Sequence, residues 1–334
     1  MSVIVTESPI SEKDMIAQAE KALADISAVR DGVGRVIFGQ ESVVERTLVA
    51  LLAGGHALLV GVPGLAKTKL VETLGMVLGL DTRRVQFTPD LMPSDILGSE
   101  VMEQDENGRR SFRFIPGPIF AQLLMADEVN RASPRTQSAL LQSMQEYHVT
   151  VAGQRYDLPA PFHVLATQNP LEQEGTYPLP EAQLDRFLMQ IDILYPDMDA
   201  ERRILLETTG TSEARAANIL TPERLREIQT LIRRMPVPET VVDAILKLVR
   251  SARPGQGDAE TDRDVAWGPG PRASQALTLC ARARALYDGR LAPSVDDVKA
   301  LAEPVLQHRM ALTFAARAEG MSVRDVVARL AKAI

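Results

Sequence analysis

A short apolar run that ends in a glycine-rich turn constrains this chain more than any other feature. The stretch His56-Ala-Leu-Leu-Val-Gly-Val-Pro-Gly-Leu-Ala-Lys-Thr68 is followed by apolar residues at helical spacing. It predicts a strand, a tight loop and the N-terminus of a helix. Because backbone N–H groups and the helix dipole converge on an anion in such a loop, the pattern indicates a phosphate-binding loop for a nucleoside triphosphate.

The residues of this loop have predicted parts in holding the triphosphate. Lys67 would reach the β- and γ-phosphates, and the Thr68 hydroxyl would ligate Mg²⁺. Ala66 stands where the general pattern G-x-x-x-x-G-K-[ST] has its second glycine. The predicted phosphate-binding residues are Gly61, Val62, Pro63, Gly64, Leu65, Ala66, Lys67 and Thr68.

The same region offers a membrane alternative. Thr47–Ala66 carries no Asp, Glu, Lys or Arg and is long enough to span a bilayer. Gly54-Gly55, Pro63 and Gly64 divide it into a helix end, a short strand and a loop. We therefore expect no membrane insertion.

Composition narrows the class of protein. A length of 334 residues predicts two domains, and the net charge of −7 argues against a basic nucleic-acid surface. Residues 1–14 do not resemble a secretory signal, and the single Cys280 excludes an internal disulfide. The four histidines show no metal-ligand spacing. These features predict a cytoplasmic protein without a transition metal.

The pattern of elements changes near Tyr195-Pro196. Before this point strands and helices alternate, which predicts an α/β domain over residues 1–196; after it, helical periodicity predicts a helical domain over 197–334. Two hairpins are predicted within the first domain. One lies at about 98–114 and turns at Asn107-Gly108, and the other lies at about 149–156 and turns at Ala152-Gly153.

Two acidic residues follow a predicted buried strand. Asp127 and Glu128 come directly after Leu123–Ala126. In a parallel sheet the carboxyl end of such a strand lies beside the phosphate loop. Asp127 would then hold Mg²⁺, and Glu128 would orient and deprotonate the attacking water. A solvated turn is the alternative.

Three further polar residues have both a catalytic and a structural interpretation. Asn169 would position the lytic water or sense the γ-phosphate, or else form a turn. Arg186 would enter the site of a neighbouring subunit, or else pair with Asp185 or Glu181 at the surface. Arg272, which opens a helix of the second domain, would reach back to the γ-phosphate, or else be a solvated first-turn arginine.

Together these segments resemble the MoxR family of AAA+ ATPases, within the helix-2-insert clade. The resemblance runs from about Phe38 through Arg272, and Gly61–Thr68 matches that family's own form of the loop, including Ala66. The other matching segments are Phe87–Gly98, Ala126–Arg131, Ala166–Pro170 and Gly175–Phe187. The resemblance implies an α/β AAA+ P-loop core with a central parallel sheet, and a smaller all-helical C-terminal lid domain.

The resemblance also implies residue roles. Thr68 and Asp127 would serve Mg²⁺, Glu128 would be the catalytic base, and Asn169 and Arg272 would be sensors 1 and 2. Arg186 would be the arginine finger acting in trans, with Arg131 and Arg135 as alternatives, and Gln40 would lie near the adenine. The two hairpins match the helix-2 insert and the pre-sensor hairpin. Their arginines, which would make a pore locally basic, are Arg109, Arg110, Arg113 and Arg155.

The implied function is Mg²⁺-dependent ATP hydrolysis by a ring, usually a hexamer. MoxR-type ATPases are thought to act as chaperones that mature or activate partner complexes, including metalloenzymes, often with a von Willebrand factor A domain protein. A magnesium-chelatase motor subunit and a nucleic-acid motor of the same clade are the alternatives. A non-hydrolysing scaffold is disfavoured because Lys67, Asp127, Glu128 and Asn169 are all present.

Overall fold

A five-stranded parallel sheet forms the centre of the N-terminal part. The computed structural model describes residues 12–104, 109–172, 175–209 and 216–334. The sheet has the strand order β2-β5-β8-β1-β9, so that all its strands end at the same edge. The strands are β1 (Ala57–Val60), β2 (Thr82–Gln86), β3 (Gly98–Gln104), β4 (Arg110–Pro116), β5 (Leu123–Asp127), β6 (His148–Val151), β7 (Gln154–Asp157), β8 (His163–Gln168), β9 (Met189–Asp192), β10 (Val265–Trp267) and β11 (Ala311–Leu312).

Helices cover the sheet and form most of the C-terminal part. Those before residue 197 are α1 (Glu12–Gly34), α2 (Glu41–Leu52), α3 (Lys67–Val77), α4 (Pro93–Leu97), α5 (Pro134–Glu146) and α6 (Glu181–Leu184). Those after it are α7 (Met198–Thr208), α8 (Pro222–Arg234), α9 (Glu239–Ser251), α10 (Ala259–Asp264), α11 (Pro271–Tyr287), α12 (Val295–Leu306), α13 (Phe314–Ala318) and α14 (Val323–Lys332). The helical part also contains the short antiparallel pair β10–β11.

The inner strands β1, β5 and β8 are buried on both faces, as apolar parallel strands require, whereas the edge strand β2 is largely exposed. Alternate side chains of a strand point to opposite faces, so Leu58 and Leu59 belong to different core clusters. Leu59 packs with α2, α3 and the C-terminal helices, and Leu58 packs with the α4 and α5 side. The C-terminal helices therefore share one continuous core with a single face of the sheet.

Two antiparallel hairpins project from the α/β part at the predicted positions. β3 pairs with β4, and β6 pairs with β7. The predicted turn at Asn107-Gly108 lies outside the described residues. Ala152 and Gly153 have φ values of 49° and 82°, and two positive φ angles are what a tight two-residue hairpin turn needs. The Phe114 ring stacks on Tyr156 with centroids 3.9 Å apart, so the two hairpins are in contact.

Carboxylates lie beside two of the hairpin arginines that we expected to make a basic surface. Arg113 Nη1 is 3.1 Å from Glu103 Oε1, and Arg155 Nε is 2.8 Å from Asp157 Oδ1. The positive charge of the hairpins is therefore lower than the arginine positions alone predict.

The apolar stretch Thr47–Ala66 folds as the end of α2, the strand β1 and the following loop. In the described part of the chain, no helix has the length and apolar character needed to cross a membrane. Cys280 is buried in α11, where burial raises the pKa of its thiol. The division of the chain at residue 196 stays a prediction.

Two buried histidines at the amino end of the sheet are held neutral. The Val164 N–H donates to His56 Nδ1 (2.9 Å), and His56 Nε2 donates to the Met144 carbonyl (3.1 Å). His163 Nδ1 donates to the Gly55 carbonyl (2.8 Å). Burial lowers the pKa of His56 to about 3 and that of His163 to about 4.

The lowered pKa values of these two histidines predict that the folded chain loses stability in weak acid. The unfolded chain binds protons at an ordinary histidine pKa of about 6.5, whereas the folded chain does not, so stability falls as the pH drops from about 6.5 towards 4. We expect each histidine to remove about 2 kcal/mol of unfolding free energy at pH 5. Denaturant unfolding at pH 7.5 and pH 5 measures this difference. His163→Gln should reduce the pH dependence, whereas His148→Gln on β6 should leave it; equal dependence in both variants would contradict the assignment.

Candidate active site

The predicted phosphate loop lies at the carboxyl edge of the sheet, between β1 and α3. The Gly61 N–H donates to the Gln168 carbonyl at the end of β8 (3.1 Å), which ties the loop to the neighbouring strand. A Cβ atom at Gly61 would lie 2.9 Å from the Ile193 carbonyl oxygen, so only glycine fits without a shift of the backbone. The loop is therefore held close to the ends of β8 and β9.

The backbone conformation of Ala66 shows that the loop departs from the general pattern in sequence but not in shape. It precedes α3 with φ 55° and ψ 24°, in the left-handed region that glycine adopts without strain. For alanine this conformation costs about 1–2 kcal/mol. The loop keeps the shape that the usual glycine would give it. The first N–H groups of α3 have no partner within the helix, so they and the helix dipole are available to an anion.

Lys67 lies between the loop and the acidic residues. Its Nζ donates to the carbonyls of Gly61 (2.5 Å) and Val62 (3.2 Å). Burial lowers the pKa of Lys67, and the charges of Asp127 and Glu128 offset this in part. The loop is bound to the end of β8 through Gly61, and Asp127 is bound to the same strand end through Thr167, so the loop and the end of β5 lie at one site.

Asp127 is buried at the end of β5 and is fixed by two neighbours. Its Oδ1 accepts from the Thr167 hydroxyl (2.5 Å) on β8, and its Oδ2 accepts from Arg84 Nε (3.1 Å) on β2. A carboxylate has about four lone-pair positions, so capacity for a further donor remains. The hydroxyl of Thr68 and the carboxylate of Asp127 are hard oxygen donors of the kind that Mg²⁺ prefers.

Glu128 has a strained backbone and an anchored carboxylate. Its φ of 56° and ψ of 48° lie in the left-handed region, a kind of strain that clusters at functional sites. Its N–H donates to the Thr167 hydroxyl oxygen (2.9 Å). Its Oε2 accepts from Gln86 Nε2 (2.8 Å) and from Arg131 Nη1 (2.9 Å). The carboxylate thus points to the β2 side of the site in a defined orientation.

Thr167 connects both acids, which predicts a measurable role. Replacing it by valine removes the hydroxyl that Asp127 and the Glu128 N–H both use. We expect ATP turnover to fall about 10- to 100-fold, as for lost partners of metal ligands. We expect the unfolding free energy to fall by about 1–3 kcal/mol, because buried polar groups lose their partner. Steady-state hydrolysis and denaturant unfolding test this. Thr167→Ser keeps the hydroxyl and is the control; a valine variant with wild-type turnover would refute the role.

Asn169 follows β8 directly and is buried. Its Oδ1 accepts from the Leu171 N–H (3.1 Å), the bond expected of a turn former. Its neighbour Gln168 binds Gly61 of the loop. Asn169 therefore forms the hydrogen bond of a turn former, as its structural interpretation predicts. It also lies next to the phosphate loop.

Gln40 lies behind the loop, at a cavity of about 520 Å³. Its Nε2 donates to the Leu65 carbonyl (3.1 Å), and its Oε1 is buried without a hydrogen-bond partner among the described residues. Much of the cavity lining is apolar and includes Phe38, Tyr195 and Ile204. The cavity adjoins the loop residues and offers an apolar wall beside the Gln40 acceptor.

Arg186 and Arg272 lie together at the opposite edge of the sheet. Arg186 precedes β9, whose first residue Met189 pairs with Ala57, the first residue of β1. With Gly54-Gly55, both arginines line a cavity of about 260 Å³ that includes none of the loop residues. The four residues of β1 span about 13 Å between this cavity and the loop.

This placement corrects two expectations. Arg272 does not reach its own phosphate loop, because α11 begins at the amino edge of β1, where Arg272 Nη1 lies 3.6 Å from Asp185 Oδ2. The structural alternative for Arg186 is likewise not seen in the described part of the chain: Arg186 forms no ion pair with Asp185 or Glu181, and Asp185 Oδ1 accepts instead from Arg309 Nε (2.7 Å).

Arg309 positions the Arg186 segment, although no sequence pattern predicted it. It is buried after α12, and its guanidinium also donates to the carbonyls of Phe187 (2.6 Å) and Leu188 (3.2 Å). These contacts join residues more than a hundred positions apart, and no local pattern signals them.

Arg84 and Gln86 were also missed from the sequence. They occupy one face of β2, beside β5, and bind Asp127 and Glu128. The signal was the polar character of this strand, in which Thr82, Arg84 and Gln86 share one face, and it has meaning only once β2 is known to neighbour β5. Of the alternative arginine fingers, Arg131 binds Glu128 of its own chain, and Arg135 is exposed in the first turn of α5.

Comparisons with known proteins agree with this geometry. Residues 56–189 match the model of the ATPase family associated with various cellular activities (AAA), and residues 258–330 match the AAA lid domain. A crystal structure of a proposed ATPase from Cytophaga hutchinsonii is similar with a TM-score of 0.88 and 38% identity, over 96% of this chain and 98% of that chain. The parallel sheet, phosphate loop, acidic strand end and helical lid define an ATPase of the AAA+ class.

Named relatives identify the family. The chain is 44% identical to chaperone MoxR1 of Mycobacterium tuberculosis, over 90% of this chain and 80% of the relative. It is 31% identical to protein MoxR of Methylorubrum extorquens, over 84% of this chain and 85% of the relative. The chain belongs to the MoxR family of AAA+ ATPases. The predicted family, fold class and ATPase activity are therefore confirmed.

Proposed function

We propose that this ATPase is a ring-forming chaperone of MoxR type, in which Mg²⁺-dependent ATP hydrolysis remodels or matures a partner protein complex. The observation that carries the proposal is the separation of the site into two halves. The phosphate loop lies at one end of β1, and Arg186 with Arg272 lies at the other. In this proposal two copies of the chain complete the divided site, and the rotation between successive copies closes the repeated head-to-tail contact into a ring rather than an open filament.

The first half of the site binds and activates the reactants. Residues Gly61–Thr68 hold the phosphates, with Lys67 on the β- and γ-phosphates. Glu128 orients a water molecule and takes its proton as the water oxygen attacks the γ-phosphorus and the bond to the β-phosphate oxygen breaks. Asn169 positions that water. Mg²⁺, held by Thr68 and Asp127, would neutralise charge on the β- and γ-phosphate oxygens.

The base of the nucleotide fits the cavity behind the loop. The apolar wall would contact the base, and Gln40 lies at the same cavity, next to the loop residues.

The second half of the site comes from the neighbouring copy. Arg186 would contact the γ-phosphate in trans, and Arg272 would approach from the same side because both residues line one cavity. The sensor-2 arginine therefore also acts in trans in this proposal. Hydrolysis then depends on how adjacent subunits are placed, which couples ATP turnover to the shape of a ring, with a hexamer as the proposed state.

The proposed partner is a protein with a von Willebrand factor A domain, and metalloenzyme complexes are the proposed clients. The support is membership in the MoxR family, in which one relative is named a chaperone. The β3–β4 hairpin adds an exposed apolar surface suited to protein contact, with Phe112 71% exposed and Met102 53% exposed. The cytoplasmic location is part of the same proposal.

Nucleotide-dependent partner binding tests this function. The purified chain, with ATP and Mg²⁺, is mixed with a von Willebrand factor A domain protein encoded beside its gene, and the complex is measured by analytical ultracentrifugation. We expect a ring that binds the partner with ATP and does not with Lys67→Ala. Equal binding by Lys67→Ala would contradict the chaperone cycle.

Two other results would support the alternative functions. Tight, strongly salt-dependent DNA binding would support a nucleic-acid motor. Stimulation of porphyrin metallation would support a chelatase motor.

A further inference from the structure

The cavity at the amino end of β1 carries an excess of positive charge. Its lining includes Arg186, Arg233, Arg272 and Arg309, with Asp185 as the single carboxylate. Arg309 and Arg272 both lie at that carboxylate, at 2.7 Å and 3.6 Å. The lining therefore carries four positive charges and one negative charge, and the Glu146 carboxylate also acts on Arg186 from nearby. Burial and the nearby charge of Arg272 lower the pKa of Arg186, as expected where cations repel each other.

Arg233 is the one of these four arginines for which no role has been described above. It lies in the last turn of α8, which packs against α11, and its side chain extends towards Gly54, shortly before β1. Its Nη2 atom is 3.6 Å from the position that a Cβ on Gly54 would occupy. Among the residues that the structure describes, no carboxylate lies within ion-pair distance of Arg233. An exposed guanidinium is thus held beside two other arginines without an anion.

The ligand that such a cavity fits is a compact group with several negative charges. Guanidinium groups bind phosphate oxygens through charge-assisted hydrogen bonds. Gly54 has no side chain, and the atoms nearest to the position of a Cβ there are Arg233 Nη2 at 3.6 Å and Gln229 Cδ at 3.9 Å, so this wall of the cavity leaves room for an anion to approach the guanidinium groups. The triphosphate of a second copy of this chain has this chemistry, and the proposed function already brings it to Arg186 and Arg272.

We propose that Arg233 is a third arginine that binds the phosphate chain of the ATP held by the neighbouring subunit. The inference rests on the proposed shared site and extends it from the Arg186 segment to helix α8. One copy then contributes three arginines, Arg186, Arg233 and Arg272, and the next subunit contributes the phosphate loop and the acidic residues. Arg233 and Arg272 lie on the packed helices α8 and α11, so a movement of these helices relative to the sheet would alter both contacts at once.

Substitution of Arg233 gives the first test. Arg233→Ala removes one charge-assisted contact, so we expect turnover at a fixed ATP concentration to fall about 10- to 100-fold. Arg233→Lys keeps the charge and should recover part of the activity. Arg226→Ala is the matched control, because Arg226 lies on the same helix but lines a groove against α1; it should stay within about twofold, the usual range for a surface change. Thermal unfolding midpoints verify that all three variants fold. Wild-type turnover in Arg233→Ala would overturn the inference.

Mixing of variants separates this inference from the proposed function. Lys67→Ala subunits lack a working loop but keep all arginines, whereas Arg233→Ala and Arg186→Ala subunits keep the loop. If both arginines act in trans, mixing either arginine variant with Lys67→Ala should raise turnover above the average of the separate proteins. Recovery with Arg186→Ala alone would refute the role of Arg233 and leave the shared site intact. Recovery with neither variant would refute the shared site itself.

Discussion

Replacing Arg186 by alanine is expected to lower ATP turnover by about 10³- to 10⁵-fold, the effect of removing an arginine finger. The physical reason is that a guanidinium placed against the γ-phosphate stabilises charge that develops in the transition state. Binding of ATP to separate subunits should change little, because Arg186 lies at the far end of β1 from its own loop. Single-turnover hydrolysis by assembled rings, together with ATP affinity at low protein concentration, measures the two effects separately.

Arg135→Ala is the control for this substitution. Arg135 is exposed in the first turn of α5 and was another candidate finger from the sequence. Its removal should change turnover by no more than about twofold, as for most surface substitutions. If Arg135→Ala gives the larger loss, the finger belongs to α5 and the assignment of Arg186 is wrong.

Glu128→Gln should lower turnover by about 10²- to 10⁴-fold, the usual contribution of a general base. Glutamine has the same shape and can still accept from Gln86 and Arg131, so the site should keep its geometry. Because the loop is unchanged, ATP should still bind and remain unhydrolysed, and rings should accumulate in the ATP-bound state. Hydrolysis rates and the nucleotide content of the isolated rings measure both outcomes.

Glu72→Gln is the control for Glu128→Gln, because it removes a carboxylate outside the predicted catalytic residues. Glu72 is exposed on α3, the helix that begins at the phosphate loop. It should leave turnover within about twofold of the wild type. Hydrolysis at the wild-type rate by Glu128→Gln would show that another group takes the proton from water.

The elements that position the site were predictable because their signals are local. The apolar runs predicted at residues 57–60 and 123–126 correspond to β1 and β5. Their short length, apolar character and following turns identify buried parallel strands. The positive φ angles at Ala66 and Glu128 occur in the loops that follow these two strands, and those at Ala152 and Gly153 occur in the predicted turn of the second hairpin.

The partners of the acidic residues were not predictable, because they come from other strands. Arg84 and Thr167 reach Asp127 only through the strand order β2-β5-β8. The clamp of Arg309 on Asp185 likewise depends on how the lid packs against the sheet. Such contacts depend on distances between elements, which residue spacing along the chain does not contain.

The sequence by itself determined the phosphate loop, the acidic strand end, the family and the ATPase activity, since each depends on residues adjacent along the chain. Only the tertiary structure decided where the arginines lie relative to the loop. Because β1 and β9 are parallel, the loop after β1 and the segment before β9 lie at opposite edges of the sheet, so Arg186 and Arg272 lie away from the loop of their own chain. The same packing brings Arg233 beside them from a helix for which the sequence suggested no role.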